Sequence, residues 1–255
     1  MAKYKFVMIK EIALILQEEG ILFNVHLEQS AEKTYLMGKD VYFSELSTFF
    51  NTAYRMGNIA YPMGGYSYSS TQFPLNIKVG NYCSLAWGIK FRGWEHPITA
   101  FTTNYIAYDD KTLNLMHTKL IKNSVNLKPK KPKFHMGNDV WIANDVLLPQ
   151  HITIGTGAII ATRANVTKDV PPYAIVGGNP ARILKYRFED KIIEQLLETR
   201  WTEYDIAPME INGDIPIENF IEEFYNYRDK GLIKPIVLKN LKEVLDKHGI
   251  KYEQV

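Results

Sequence analysis

Six histidines and one cysteine are the side chains of this chain best suited to moving protons or attacking a carbonyl: His26, His96, His117, His135, His151, His248 and Cys83. An imidazole with an unperturbed pKa of about 6.5 is mostly neutral at pH 7 and can accept a proton in a transition state, an effect of roughly 10²- to 10⁴-fold. Three converging histidines would suit a zinc ion instead, but these positions offer no such set, and no metal is expected. Cys83 lies at an apolar repeat position and reads as a buried structural thiol. His96 differs from the others in its place along the chain, at the point where a regular pattern stops and an irregular stretch begins. Its backbone is therefore anchored on one side and open to a partner on the other. Taken alone, a histidine is more often a surface or packing residue. Trp94, Tyr105 and Tyr108 lie near it in sequence, and Tyr61, Tyr66 and Tyr68 precede the pattern. Aromatic faces of this kind either pack or receive ring-shaped partners. Glu95, Asp109 or a backbone carbonyl can accept the second ring N–H of His96, and sequence does not choose among them.

The regular pattern is a hexad. Met136, Ile142, Leu148, Ile154, Ile160 and Val166 recur at a period of six, and Val140, Val146, Ile152, Ala158, Ala164 and Val170 follow each of them four positions on. Between the two sets lie polar or turn-forming pairs such as Asn138-Asp139, Asn144-Asp145 and Thr156-Gly157. Neither a helix nor simple alternation produces this spacing. A hexapeptide period marks a parallel β-helix, three hexads to a triangular coil. Each side is a short strand with one inward aliphatic, and each corner needs a turn that Asn, Asp and Gly tolerate. Stacked coils bury the inward residues in ladders, each side chain contributing roughly 1.5–3 kcal/mol. Val79, Leu85 and Phe91 carry the same rhythm earlier, with Cys83 and Ile89 at the second apolar position. The interruption over residues 97–135 exceeds an ordinary connection and predicts a projecting loop. Pro171 and Pro172 end the repeat.

The flanks are not repeats. Phe6, Ile9, Ile12, Ala13 and Leu16 predict a helix over residues 5–19, stopped by Gly20 and followed by a strand from Ile21 to Leu27. Residues 28–72 are rich in aromatics and glycine and carry no clear assignment. Past the repeats, helices are predicted over Phe188–Trp201, with Ile192, Ile193, Leu196 and Leu197 on one face, over Ile217–Arg228 and over Pro235–His248. Their apolar faces most simply pack on the prism or on a neighbouring subunit. The expected architecture is mainly β: a parallel β-helix over 73–187 carrying the loop 97–135, an N-terminal α/β extension over 1–72 and a C-terminal helical region over 188–255.

With 255 residues, 46% hydrophobic, 23% charged and a net charge of +2, the chain reads as an ordinary globular protein without the field that nucleic acid requires. No membrane span and no secretory leader are expected, and a single cysteine fits a reducing compartment, which places the chain in the cytoplasm. Lys128-Pro129-Lys130-Lys131-Pro132-Lys133 is the one basic cluster; it reads as a solvated Pro-rich loop end or as a contact for an acidic acceptor or phosphates.

The strings "VGNYCSLA", "GWEHP" and "MGNDVWIANDVLLPQHITIGTGAIIATRANVTKDVPPYAIVGGNPARILKYRF" resemble the hexapeptide-repeat acyltransferases, and within them the xenobiotic branch that includes streptogramin and chloramphenicol acetyltransferases, over roughly residues 75–201. The resemblance implies a left-handed β-helix, an exception to the usual right-handed crossover, and a homotrimer with active sites between adjacent prisms. It implies that His96 is the general base for direct transfer from acetyl-CoA to an acceptor hydroxyl. It places Ala143, Asn144, Ala161 and Thr162 along the pantetheine arm, with the backbone N–H near Ala143 as a donor to the thioester carbonyl. Trp141 falls beside the same groove or packs at the coil edge. Thr167, Lys168, Arg182 and Lys185 match positions at the phosphate and adenine end, where cations suit a polyanion. Trp94, Tyr105 and Tyr108 are expected to shape the acceptor pocket. A small molecule or glycan precursor bearing a sugar hydroxyl is the first acceptor expected, because the terminal additions depart from the compact drug-modifying members. An antibiotic is the second. A non-catalytic trimeric scaffold or glycan-binding module is the reading from a different class, and loss of the histidine would favour it.

Overall fold

The computed structural model describes residues 3–8, 10–19, 21–24, 33–38, 42–44, 47–50, 58–60, 62–71, 73, 77–93, 96–109, 112, 125 and 133–254. Its centre is a parallel β-helix. On the first side, Tyr68–Ser69, Ser84–Leu85, Trp141–Ile142, Ile159–Ile160 and Ala174–Gly178 stack in parallel register. On the second side Lys90–Phe91 pairs with Leu147–Leu148, which bridges to Asn165. On the third, Lys133–Met136 pairs with His151–Ile154, which bridges to Val170. Both ladders read from the hexads are buried. Ile142, Leu148, Ile154 and Ile160 are fully enclosed, and Val140, Val146 and Ala158 with them. A strand with one inward residue per side gains stability only from the rungs above and below it, so no coil stands alone.

The corners explain why the coils stack in register. Residues with φ between +53° and +74° form one column at the corner between the third and first sides: Tyr82, Asp139, Gly157 and Tyr173, with Tyr66 above at +58°. Tyr82, Asp139, Gly157 and Tyr173 each donate their N–H to the residue before the corner of the coil above, Gly65 O, Asn81 O, Asn138 O and Thr156 O respectively, all at 2.8 Å. A second column holds Gly88, Asp145 and Arg163 at the next corner. Asp and Gly at these turns agree with the sequence pattern. The tyrosines do not, because an L side chain with a large ring disfavours this region. Stacking offsets the cost: the Tyr66 and Tyr82 rings lie 4.9 Å apart and nearly parallel, one rung spacing of a sheet.

Cys83 sits in the small-residue ladder with Ala158 and Ala174 and is completely buried. Burial pushes its thiol up to about 12, well away from a reactive thiolate.

Several expected elements are shifted. The first helix covers Lys10–Glu18 only, because residues 3–8 form a strand between Lys33–Gly38 and Tyr252–Gln254. Phe6, counted toward a helical face, points into the core from this strand. Ile21–Asn24 is a strand as expected; residues 25–27 lie outside the described residues. It pairs with Ser47–Phe50, which pairs in parallel with Tyr68–Ser69, so the first side continues N-terminal of the first hexad. The coil after the loop resumes at Lys133, three residues before Met136. His151 opens a strand rather than a corner, although it does face outward.

The C-terminal region divides in two. Asp190–Thr199 and Ile217–Asp229 are helices whose Ile193, Leu196, Phe220, Ile221 and Phe224 pack with Tyr173 into a second core at the Tyr82–Tyr173 corner. Polar contacts clamp the same corner: Asn81 Nδ2 donates to Thr202 O (2.9 Å), Asn138 Nδ2 to Thr202 Oγ1 (3.0 Å) and Tyr82 Oη to Tyr204 O (2.6 Å). Tyr66 Oη bonds to Asp205. The helix expected over Pro235–His248 is only Leu241–Lys247. Lys234–Pro235 and Leu238–Asn240 are spent on strand pairs with Tyr204–Asp205 and Tyr42–Ser44. Asn240 sets the start, its Oδ1 accepting from Lys242 N at 2.9 Å and Glu243 N at 3.4 Å. This last helix packs with Phe6 and Leu16 in the main core. No helix of the described residues is long and apolar enough to cross a membrane.

Two predictions follow from this packing. A Cβ at Gly157, where φ is +74°, would lie 2.4 Å from the Tyr173 ring. Gly157→Ala is therefore expected to cost about 1–3 kcal/mol in denaturant unfolding, while Gly213→Ala, where a Cβ meets nothing within 4 Å, leaves the midpoint unchanged. Glu19 accepts from Lys247 Nζ (2.5 Å), His248 Nε2 (2.8 Å) and Lys239 Nζ (3.2 Å), and those bonds hold its carboxyl down at about 2, from 4.5. A depressed carboxylate stabilises the fold above its unfolded pKa and ceases to do so as pH falls through its folded one. Amide exchange of 241–254 should therefore accelerate between about pH 4.5 and about pH 2, and Glu19→Gln should remove that acid step.

Candidate active site

His96 follows the second side of its coil, where Arg92 N donates to Leu148 O at 2.8 Å and Gln150 Nε2 donates to Arg92 O at 3.1 Å. The chain then leaves the prism, and its first stretch is internally fixed. Asn104 Oδ1 accepts from Ile106 N (3.2 Å) and starts a short 3-10 helix over Tyr105–Ala107. Ala107 is fully buried, and its carbonyl accepts from Val125 N at 2.6 Å. This turn brings two partners to the imidazole. Thr103 O lies 2.6 Å from His96 Nδ1, and Tyr108 Oη lies 3.1 Å from the same nitrogen, with the two rings edge to face at 5.5 Å.

The tautomer follows from the chemistry of the partners. A carbonyl oxygen can only accept, so Nδ1 carries the proton and the lone pair of the neutral ring is on Nε2. Of the three possible partners, the backbone carbonyl is the one at hydrogen-bond distance. Asp109 instead accepts from Thr112 N (3.1 Å) and Thr112 Oγ1 (2.6 Å). Glu95 and Trp94 lie outside the described residues. The ring is exposed, which leaves Nε2 accessible to a hydroxyl. Thr103 and Asn104 were not singled out in the sequence; an Asn directly before Tyr-Ile-Ala is the helix-start signal that marks this turn.

The positions matched to the thioester carrier gather at the corner after the first side. Arg163 N donates to Asn144 O at 2.9 Å, which sets Thr162 one coil beyond Asn144, and Ala143 and Ala161 stack in the same way just before the corner. Thr162 is exposed, and Asn144 and Ala161 partly so. A backbone donor was expected near Ala143; the N–H of Ala143 itself donates to Ile160 O at 2.9 Å and the Ala161 N–H to Val176 O at 2.9 Å. The coil ladder consumes both donors, so neither is offered to a carbonyl. Trp87 was not anticipated here; its carbonyl accepts from Asp145 N, which puts it one coil above Asn144 with its indole 57% exposed. Thr167, Lys168, Arg182 and Lys185 are exposed near the end of the prism, and Arg182 Nη1 returns to Ala181 O at 2.9 Å. Tyr105 opens the 3-10 helix without the ring contact to His96 that Tyr108 makes.

Along the coil, His96 comes after the second-side strand Lys90–Phe91, whereas Ala143 and Asn144 come before the second-side strand Leu147–Leu148 that pairs with it. Among the described residues no group of three or more His, Cys, Asp or Glu is placed to hold a metal ion. Trp141 is half-exposed on the first side between Ser84 and Ile159. It borders a cavity of about 320 Å³ lined also by Tyr68, Tyr82, Ser84, Asp139, Val140, Ile159 and Arg187.

No protein-family profile matches the chain. Individual proteins do. A probable macrolide acetyltransferase of Lysinibacillus sphaericus is 38% identical over 125 residues, which cover 48% of this chain and 67% of that protein. A chloramphenicol acetyltransferase of Klebsiella aerogenes is 52% identical over 133 residues, covering 50% of this chain and 60% of its own. One from Agrobacterium fabrum is 58% identical over 66 residues, 26% of this chain and 32% of that protein. The chain thus spans between about a third and two thirds of the length of these relatives. A crystal structure of a hexapeptide-repeat acetyltransferase from Vibrio cholerae, complexed with acetyl-CoA, is 19% identical with a TM-score of 0.34, covering 71% of this chain and 78% of that one. The repeat, the corner columns and the identity to the macrolide acetyltransferase agree: the chain belongs to the xenobiotic branch of the hexapeptide-repeat acetyltransferases.

Proposed function

We propose that this protein is an acetyl-CoA-dependent O-acetyltransferase that uses His96 as its general base. The observation that carries this reading is the 2.6 Å contact between His96 Nδ1 and Thr103 O. It supports an Nδ1–H donor and leaves Nε2 as the atom that takes the proton of an acceptor hydroxyl as the oxygen bonds to the thioester carbonyl carbon. The C–S bond breaks, the sulfur leaves with its electron pair, and the proton on Nε2 returns to the medium or to that sulfur. Transfer is direct, without an acyl-enzyme; the buried Cys83 thiol supports this, since it is held in its protonated form far from the surface.

The carrier lies along the corner formed by Ala143, Asn144, Ala161 and Thr162, with Trp141 beside it and Thr167, Lys168, Arg182 and Lys185 toward its phosphates. Exposed cations on the last coil suit a polyanion. His96 follows the second-side strand of its coil, and the carrier corner precedes the second-side strand of the next coil. This separation supports a homotrimer in which His96 of one chain faces the corner of the next. Tyr105, Tyr108 and Trp94 border the acceptor. The acceptor is a hydroxyl of a sugar or glycan precursor, and the work is done in the cytoplasm. A second reading, an antibiotic hydroxyl as acceptor, draws support from the macrolide and chloramphenicol acetyltransferases among the relatives.

Thiol release from acetyl-CoA in the presence of a panel of glycosides and antibiotics tests both. His96→Ala is expected to lower turnover about 10²-fold or more while CoA still binds; unchanged turnover removes His96 from the mechanism. In the same assay Lys168→Ala with Arg182→Ala should raise the KM for acetyl-CoA about tenfold, the equivalent of about 1.4 kcal/mol. A change confined to the acceptor KM would overturn the placement of the carrier.

A further inference from the structure

One residue of the prism meets both ends of the stretch that carries the imidazole. Gln150 stands between the second-side strand Leu147–Leu148 and the third-side strand His151–Ile154. Its Nε2 donates to Arg92 O at 3.1 Å, where the chain leaves the prism, and its own carbonyl accepts from Lys133 N at 3.0 Å, where the chain returns. Gln150 is partly buried, so a bond lost there is not simply replaced by water.

Arg92 is the last point at which the prism holds the departing chain. Its N–H donates to Leu148 O at 2.8 Å in the next coil, and its Nη2 reaches Val166 O at 2.9 Å in the coil after that. Beyond it the hold ends. Gly93 is exposed and a Cβ there would meet nothing within 4 Å, and between Arg92 and His96 the described residues make no hydrogen bond to the prism. The ring itself is oriented inside the loop, because Thr103 O at 2.6 Å and Tyr108 Oη at 3.1 Å both belong to it. Orientation of the imidazole and placement of its loop on the prism are therefore set by different contacts. The second task falls on the two stems, and both stems meet at Gln150. The departing carbonyl is met there by a side-chain amide, so a substitution can release it without touching the main-chain bond at the return.

We propose that Gln150 is a positioning residue for His96: its side chain fixes the departing stem, its carbonyl fixes the returning one, and together they set where the imidazole stands relative to the thioester. The inference rests on the reading of His96 as the general base. A catalytic group misplaced by about 1 Å can cost about 10²-fold, so loosening one of two stems should be visible in turnover. Gln150→Met keeps the length of the side chain and the main-chain bond to Lys133 but has no donor for Arg92 O. It is expected to lower kcat about tenfold and leave the KM for acetyl-CoA within about twofold. Placed in the His96→Ala background it should change the residual turnover by less than about twofold, because a residue that acts through the imidazole has nothing left to act on. Amide exchange of 97–109 should be faster than in the unmodified chain, with 136–170 unchanged. Thermal melting checks that the variant is folded, and Gln150→Glu, of the same shape and without the donor when ionised, takes its place if it is not. A loss of equal size in both backgrounds overturns the proposal, since a merely structural role would produce it. Unchanged kcat in a folded variant overturns it too, as does unchanged exchange of 97–109. Full turnover in His96→Ala would remove the catalytic reading and this inference with it, whereas an essential His96 with a silent Gln150 removes this inference alone.

Discussion

Every coil of this protein has to turn its corners within about one residue, and the left-handed backbone at those corners is the constraint on which the rest depends. Tyr66, Tyr82, Asp139, Gly157 and Tyr173 adopt it in a column, and the last four are tied by their amides to the coil above. Because the corners align, the residues between them align, and Leu85, Ile142, Ile160 and Val176 stack as one buried ladder. The same alignment brings Asn144 and Thr162 into one file and makes the tyrosine corner a platform for the C-terminal helices. Packing and site geometry therefore share one cause. A disturbed corner affects both the inward ladder and the surface files beside it.

The hexads made the prism legible because their period is dictated by its cross-section, and no other element has a period of six. The inward residues from Met136 to Val170 could each be placed before any coordinates existed. Residues 5–19 were less legible. Phe6 and Leu16 fit a helical face, but Phe6 belongs to a strand with two neighbours to pair with, one of them at the far end of the chain. Pairing across some 250 positions leaves no local trace. Tyrosine in a left-handed corner was equally invisible, since its stability comes from the ring of the coil above and from Tyr204 and Asp205, more than a hundred residues later. The segment Pro235–Asn240 was absorbed into a helix for the same reason, although Asn240 carried the signal for the true start.

At the site, residue type and position in the chain were enough to single out His96, whereas its orientation was not readable. The partner is a backbone carbonyl, and every residue carries one of those. Thr103 supplies it only because the Asn104 turn folds the loop back, so the tautomer is a property of the loop rather than of any side chain near the histidine. The imidazole is thus oriented by a main-chain oxygen. The Ala143 amide shows how the coil uses its donors: its N–H is spent on Ile160 O in the ladder.

The account's central claim is that the base and the carrier corner come from different chains. Mixing two inactive variants tests it most directly: His96→Ala, which lacks the base, and Thr162→Trp, which obstructs the exposed corner, unfolded together and refolded as one pool. The account predicts that the mixed pool regains acetyl-transfer activity well above either variant refolded alone, because some interfaces pair an intact imidazole with an intact corner. Activity that stays at the level of the separate variants, with both incorporated in one assembly, would contradict it.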